Sequence, residues 1–194
     1  MTKYFVTQNF EKYNLDAFLR KCKDLDFVNN VSREKMRFDW IKENNGAYWA
    51  FVKDNDIICM SGCHPFEWYK NTYRIGYRSA TIPGEDPFKG FSKYGYNGIP
   101  NRVLFQYQIR WCQSFGIKDF ILTTNSKSKD KHLYMSHMME VKINECTNLS
   151  EYLGDIQLFG VQQSLWKYNI GVYIETLSKL KPKPYYIIED LKSD

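Results

Sequence analysis

The stretch from Lys93 to Asn125, KYGYNGIPNRVLFQYQIRWCQSFGIKDFILTTN, constrains the fold more than any other part of the chain. It opens with glycines, continues as an amphipathic run with no breaker, and ends in a short β-branched segment. The run places Val103, Leu104, Tyr107, Trp111 and Phe115 on one helical face, with Gly116 as its stop. KDFILTTN is an apolar run of the kind buried in the middle of a sheet. Just upstream, TYRIGYRSATIP alternates as a strand does and stops at Pro83. A strand, a helix and a second strand in this order make a crossover connection. The chain is therefore mixed α/β.

The flanking sequence fills in the order. TKYFVTQN reads as an opening strand. NLDAFLRKCKDL carries Leu15, Phe18, Leu19, Cys22 and Leu25 at helical spacing, with Asn14 as N-cap. VSREKMRFDWIKENN predicts a second helix, capped by Ser32, facing inward through Met36, Trp40 and Ile41, and stopped by NNG. AYWAFVKD and DIICMSGCHPF, joined by DND, predict an antiparallel hairpin. TYRIGYRSATIP becomes the third strand of a meander. Residues 84–98 form an irregular loop of a length that often serves function. After KDFILTTN come a short helix in KDKHLYMSHMME, a strand in VKINECTNL, and one longer strand in GDIQLFGVQQSLWKYNI with Gly160 as a bulge. LKPKPYYIIEDLKSD closes the chain as a connector, a short apolar segment and a polar tail.

With 194 residues, 43% of them hydrophobic and 17% aromatic, the chain can bury a core. Its longest apolar runs, GAYWAFV and DFIL, are too short to span a bilayer, and MTKYFVTQNF lacks the apolar stretch of a secretory signal. A cytoplasmic protein with no membrane association is expected. The net charge of +5 is mild and its basic residues are scattered, so nucleic acid is an unlikely partner on sequence grounds. Five cysteines (Cys22, Cys59, Cys63, Cys112 and Cys146) do not suggest a disulfide framework without an export signal. CMSGCH brings Cys59, Cys63 and His64 together, but its spacing is not that of a zinc knuckle and no second Cys/His pair follows, so no metal is expected.

The order of elements, with a glycine-bearing loop just before the central helix, resembles the GNAT-type N-acyltransferase superfamily from about Lys3 to Asn169. The resemblance implies a mostly antiparallel mixed sheet with helices on both faces and one splayed pair of strands. It further implies an acyltransferase domain over residues 1–170 and a C-terminal extension over 171–194. In that family the third meander strand offers backbone groups to pantetheine, and SATIP stands in its place, with Ala80, Thr81 and Ile82. A loop of type Gln/Arg-x-x-Gly-x-Gly/Ala then grips the pyrophosphate of coenzyme A. Here Lys93, Gly95, Gly98, Asn101 and Arg102 occupy it, and Pro100 or Asn101 falls where the last glycine or alanine belongs. Exposed N–H groups at a helix start and the positive end of its dipole attract a diphosphate.

The family's strand after the central helix ends near an Asn, matched by Asn125, and the next helix carries Leu133-Tyr134. The resemblance makes Tyr134 the acid that protonates the departing thiolate, since a phenol suits a thiol leaving group. The family's "GF" after this helix is replaced by MMEV. A general base is less defined: His64 and Glu67 lie near the end of the preceding strand, His132 and His137 flank Tyr134, and a water relay needs no dedicated base. Trp49, Trp68, Tyr69, Tyr73 and Tyr77 are either core or an aromatic wall for the acceptor. The implied activity is transfer of acetyl from acetyl-CoA to a primary amine by a monomer or homodimer. A GNAT-fold binding module without chemistry, contacting nucleic acid or protein, is the alternative.

Overall fold

The computed structural model describes residues 4–23, 31–82, 99–125, 150–158 and 160–179. Among these lie seven strands and four α-helices, with the strands hydrogen-bonded in the order β1-β2-β3-β4-β5-β7-β6. The chain divides into two compact units, Met1–Pro65 with Ile75–Arg110 and Pro182–Asp194, and Phe66–Arg74 with Trp111–Lys181.

In the first unit β1 (Tyr4–Thr7) pairs antiparallel with β2 (Ala47–Lys53), and β2 with β3 (Asp56–Pro65). Asp54 and Asn55 join β2 to β3 with φ of 48° and 76°. Two left-handed residues give the turn whose twist suits a tight hairpin. Six consecutive residues of β2 are buried, so both of its faces are covered, as its aromatic and β-branched composition requires. Tyr48 lies opposite Gly62, and a Cβ at Gly62 would come within 2.7 Å of the Tyr48 ring. The glycine is there to admit the ring.

After a single 3-10 turn (Phe10–Lys12), α1 (Leu15–Lys23) starts at Asn14, whose Oδ1 accepts the Ala17 N–H at 3.0 Å. The expected cap is present, and it satisfies one of the orphan donors of the first turn. Phe18, Leu19 and Cys22 are buried as their spacing predicts. The second helix, α2 (Val31–Glu43), departs from expectation. Met36 and Trp40 point outward, 70% and 44% exposed, while Ile41 is buried as expected and Phe38 is buried with it. Val31 already begins the helix, so Ser32 lies inside it and does not cap it. The stop holds: Asn45 adopts φ 59° and the Gly46 N–H returns to the Ile41 carbonyl at 2.8 Å, a Schellman closure. Phe10, Phe38, Tyr48, Tyr77 and Ile82 join the α1 residues in one core.

The helix α3 (Ile99–Ser114) buries Val103 and Leu104 as expected, together with Phe105, Gln108, Ile109 and Cys112. In its later turns the face is rotated from the expected one: Tyr107 and Trp111 are half-buried and Phe115, just beyond the helix, is 65% exposed. Gly116, at φ 71°, closes it, with the Ile117 N–H reaching the Cys112 carbonyl.

In the second unit the start of β4 (Thr72–Thr81) pairs in parallel with β5 (Asp119–Asn125) through Thr72–Asp119, Tyr73–Phe120 and Arg74–Ile121. This parallel ladder is the expected crossover. On its other edge β5 pairs antiparallel with β7 along its whole length, to Asn125–Gln163. The single strand expected over 154–170 is instead a hairpin of β6 (Ser150–Leu158) and β7 (Val161–Asn169), and Gly160 (φ 78°) belongs to its turn, not to a bulge. An unforeseen helix, α4 (Ile170–Lys179), follows. Tyr173 of α4 meets the Phe120 ring edge-on at 5.2 Å, and Phe120 stacks on Tyr168 at 5.0 Å. The helix and strand expected over 129–149 lie outside the described residues, as does 180–194.

Candidate functional site

Strand β4 is the element on which the expected chemistry converges, and it is irregular. Its two ends are tied to β3 and the turn after it, through Ile82 N–H to Ile58 O at 2.8 Å and Phe66 N–H to Thr72 O at 2.9 Å. Between those ties eight residue steps on one side, 58 to 66, face ten on the other, 72 to 82. An antiparallel pair absorbs such a surplus as a bulge. Gly76, at φ 68°, lies between those ties, and its N–H leaves the strand ladder for the Gln108 Oε1 of α3 at 2.8 Å. Gln108 Nε2 in turn donates to Ser61 Oγ on β3 at 2.7 Å.

At the far end of β4 the Ile82 amide is committed to β3, and its side chain is buried in the core. Ladder alternation turns the Ala80 N–H the same way and the Thr81 N–H the opposite way. Thr81 is therefore the member of the expected trio whose amide is directed away from β3. Asn101 and Arg102 lie in the first turn of α3, which contains no acidic residue. Helix starts leave N–H groups without intrahelical partners, and a carboxylate there would oppose a bound anion. Lys93, Gly95, Gly98 and Tyr134 lie outside the described residues, as do His132 and His137.

His64 stands near the end of β3 and is half-buried. Its Nδ1 lies 2.7 Å from the Pro65 carbonyl oxygen. A carbonyl only accepts, so Nδ1 carries a proton, and in the neutral form of the ring the lone pair is on Nε2. Tyr77 and Trp40 hold the ring edge-on, with centroids at 4.8 and 5.9 Å. Glu67, in the second unit, is exposed on the turn after β3. Asn125 ends β5, paired through its backbone with Gln163. Arg74 donates to Thr123 Oγ1 at 2.8 Å, bracing β4 against β5 where their ladder ends.

The aromatic residues divide by burial. Trp49 and Tyr77 are core residues of the first unit, whereas Trp68 is 58% exposed in the second, beside Tyr69. Cys22, Cys59, Cys63 and Cys112 are buried and reduced, and burial pushes the Cys22 thiol up to about 12. A thiolate nucleophile is thus disfavoured at Cys22. No group of three or more metal-ligating side chains occurs among the described residues. A pocket of about 410 Å³ opens elsewhere in the first unit, between Phe10 and Phe38. Two of its carboxylates, Glu11 and Asp16, are ion-paired with Lys42 and Lys35. No helix among the described residues is long and apolar enough to cross a membrane.

Sequence reasoning missed Gln108. A polar residue inside an amphipathic helix reads as surface, and only its placement one turn from Leu104 on the inward stripe hinted otherwise.

No protein-family model matches the chain, and no curated protein matches it. Solved structures do. An N-acetyltransferase from Staphylococcus aureus Mu50 is 11% identical with a TM-score of 0.55, over 88% of this chain and 99% of that one. An acetyltransferase of the GNAT family from the same organism is 11% identical with a TM-score of 0.52, over 88% and 99%. A ribosomal-protein-alanine N-acetyltransferase from Brucella melitensis is 10% identical with a TM-score of 0.54, over 87% and 99%. At such identities the likeness is one of fold, and the fold is that of the GNAT acetyltransferases.

Proposed function

We propose that this chain, having the GNAT fold, is an acyl-CoA-dependent N-acyltransferase that moves acetyl from acetyl-CoA to a primary amine by direct attack. The observation that carries the reading is the β4–α3–β5 crossover within the strand order β1-β2-β3-β4-β5-β7-β6, with an α3 start free of acidic residues. That helix start supplies N–H groups and positive potential suited to the diphosphate of coenzyme A, helped by Lys93, Gly95, Gly98, Asn101 and Arg102. Thr81, flanked by Ala80 and Ile82, offers a backbone amide to the pantetheine arm, and Asn125 lies at the end of β5. Residues 1–170 form the acyltransferase domain and 171–194 its extension. A cytoplasmic site of action follows from the coenzyme A pool it would draw on.

In the reaction the amine nitrogen bonds to the thioester carbonyl carbon and the carbon–sulfur bond breaks. The amine's surplus proton passes to His64 Nε2, directly or through water, and Tyr134 returns a proton to the leaving thiolate. The Pro65 carbonyl selects the tautomer a base requires, and because Nε2 is buried the acceptor amine or a water has to reach it for the transfer. Glu67 is the second base, through water.

The test is calorimetric titration with acetyl-CoA, followed by a screen of amine acceptors for free thiol release. Saturable binding is expected, weakened at least about tenfold when Gly98 and Arg102 are replaced together, the scale of one lost charge-assisted contact. A bound ligand at a hundred times its Kd stabilises a protein by about 2.7 kcal/mol. Absence of any thermal shift at high acetyl-CoA excess would overturn the enzyme reading in favour of a GNAT-fold binding module.

A further inference from the structure

We infer that Gln108 is a positioning residue: its amide holds Gly76 in the left-handed conformation and so sets the path of β4 for acyl transfer. The inference rests on the acyltransferase reading for its functional half and on the geometry of the first unit for its structural half.

Gln108 has no exposed surface, and neither has Ser61. A glutamine buried on the inward face of a helix is unfavourable unless its amide is hydrogen-bonded at both ends. Here it is. The oxygen accepts from Gly76 N–H and the nitrogen donates to Ser61 Oγ. A backbone N–H can only donate, so the orientation of the amide is fixed by chemistry and not by choice. One side chain of α3 thus reaches two strands and defines the height of each against the helix.

The surplus residues of β4 make this contact consequential. A bulge removes a backbone N–H from the strand ladder, and that donor must find another acceptor. Gln108 supplies it. The β4–β5 ladder ends at Arg74 and Ile121, two residues before Gly76, so Gly76 lies in the first stretch where β4 runs without that pairing. Gln108 therefore acts where β4 departs from regular geometry, upstream of the Thr81 amide. It does not touch the reacting atoms. It sets the backbone that does.

The experiment compares wild type with Gln108→Leu, Gln108→Glu and Ser61→Ala. Its readouts are steady-state kinetics with acetyl-CoA and the exchange rate of the Gly76 amide by NMR. Gln108→Leu is expected to lower kcat about 10- to 100-fold, the penalty of a small misplacement. KM for acetyl-CoA should stay within about threefold, because the α3 helix start is untouched. The Gly76 amide should lose its slow exchange. Gln108→Glu keeps an acceptor for Gly76 and is expected to recover slow exchange and most of kcat. Should Gln108→Leu fail to fold, Ser61→Ala decides: loosening the amide from one side should speed Gly76 exchange and lower kcat severalfold. Unchanged kcat and unchanged Gly76 exchange in the variants that fold would overturn the inference. If wild type neither binds acetyl-CoA nor releases thiol, the acyltransferase reading fails. The Gly76 exchange rates still decide whether Gln108 holds the bulge.

Discussion

Two strands of this protein are interrupted by a left-handed glycine beside a polar network, and the two networks work under opposite conditions. Gly76 in β4 has φ 68° and gives its N–H to Gln108, closed inside the first unit with Ser61. Gly154 in β6 has φ 116° and marks a register shift between Tyr152 and Gly154 in the β6–β7 ladder. Beside it the Asp155 carboxylate accepts from the Tyr152 hydroxyl at 2.7 Å, from Gln162 Nε2 at 3.4 Å and from Ser164 Oγ. This second network is open at Tyr152, half exposed, and at Asp155 on the surface, and only Ser164 is buried. In the closed network loss of Gln108 leaves both the half-buried Gly76 N–H and the buried Ser61 hydroxyl without that partner, whereas in the second network water can replace a partner of Tyr152 or Asp155. The bonds of Tyr152 and Gln162 to Asp155 are thus more dispensable than those of Gln108.

The sharpest way to break this contrast is Gln108→Leu, which deprives the Gly76 N–H of its acceptor. A loss of about 1–3 kcal/mol in unfolding free energy is expected, the desolvation penalty of one stranded donor. Urea denaturation measures it. A loss within error would mean that the closed network is no more obligatory than the open one.

A matched pair of glycine substitutions comes next. Gly76→Ala should cost about 1–2 kcal/mol, because a non-glycine residue is forced into a left-handed position that a buried side chain fixes. Gly154→Ala should cost less than Gly76→Ala, about 1 kcal/mol, because β6 can relax away from a φ that an L-residue does not hold. A Cβ at Gly154 would meet nothing within 4 Å, and β6 is an edge strand able to shift its register. Equal losses, or a larger one at Gly154, would remove the distinction.

The smallest effect concerns titration. The Tyr152 hydroxyl is raised above its ordinary value of 10.0, first by its hydrogen bond to Asp155, then by burial and by the Asp155 charge, with Ser164 opposing. A phenol whose folded value is raised contributes fully below the unfolded value and loses that contribution as pH rises through the folded one. The open network therefore comes apart on the alkaline side and is indifferent to pH near neutrality. Asp155→Asn should move the phenol back toward lower pH. The ultraviolet titration difference between each protein and its Tyr152→Phe counterpart isolates that one group, and an unmoved midpoint would show that Asp155 is not the cause.

The strand–helix–strand core was legible because it rests on local signals. The helix of α3 had to start after the glycines and stop at Gly116, and the apolar FIL of β5 needed cover on both faces. The Asp54-Asn55 turn announced the β2–β3 hairpin in the same way. What failed lacked punctuation. Leu158, Phe159, Gly160 and Val161 carry only one turn residue amid apolar neighbours, so two strands read as one. Asn169 caps α4, its Oδ1 accepting the Val172 N–H at 3.1 Å, but the β-branched run that follows reads as strand in sequence. In α2, Met36 and Trp40 are as apolar as Phe38 and Ile41, and periodicity alone did not choose between the two stripes.

The candidate site was legible in its backbone parts and hidden in its side-chain parts. SATIP and the start of α3 followed from element order. Gln108 did not, because its partners Ser61 and Gly76 lie 47 and 32 residues away in the chain.

By itself the sequence determined the class of the protein: an α/β chain with one crossover, recognisable as GNAT-like from the order of its elements. Turn chemistry and hydrophobic period are local properties, and they act over a few residues. Tertiary structure alone decided which helix faces point inward, where β4 bulges, and which nitrogen of His64 keeps its lone pair. Each of those depends on groups brought together from distant parts of the chain, whose burial sets the worth of every hydrogen bond between them.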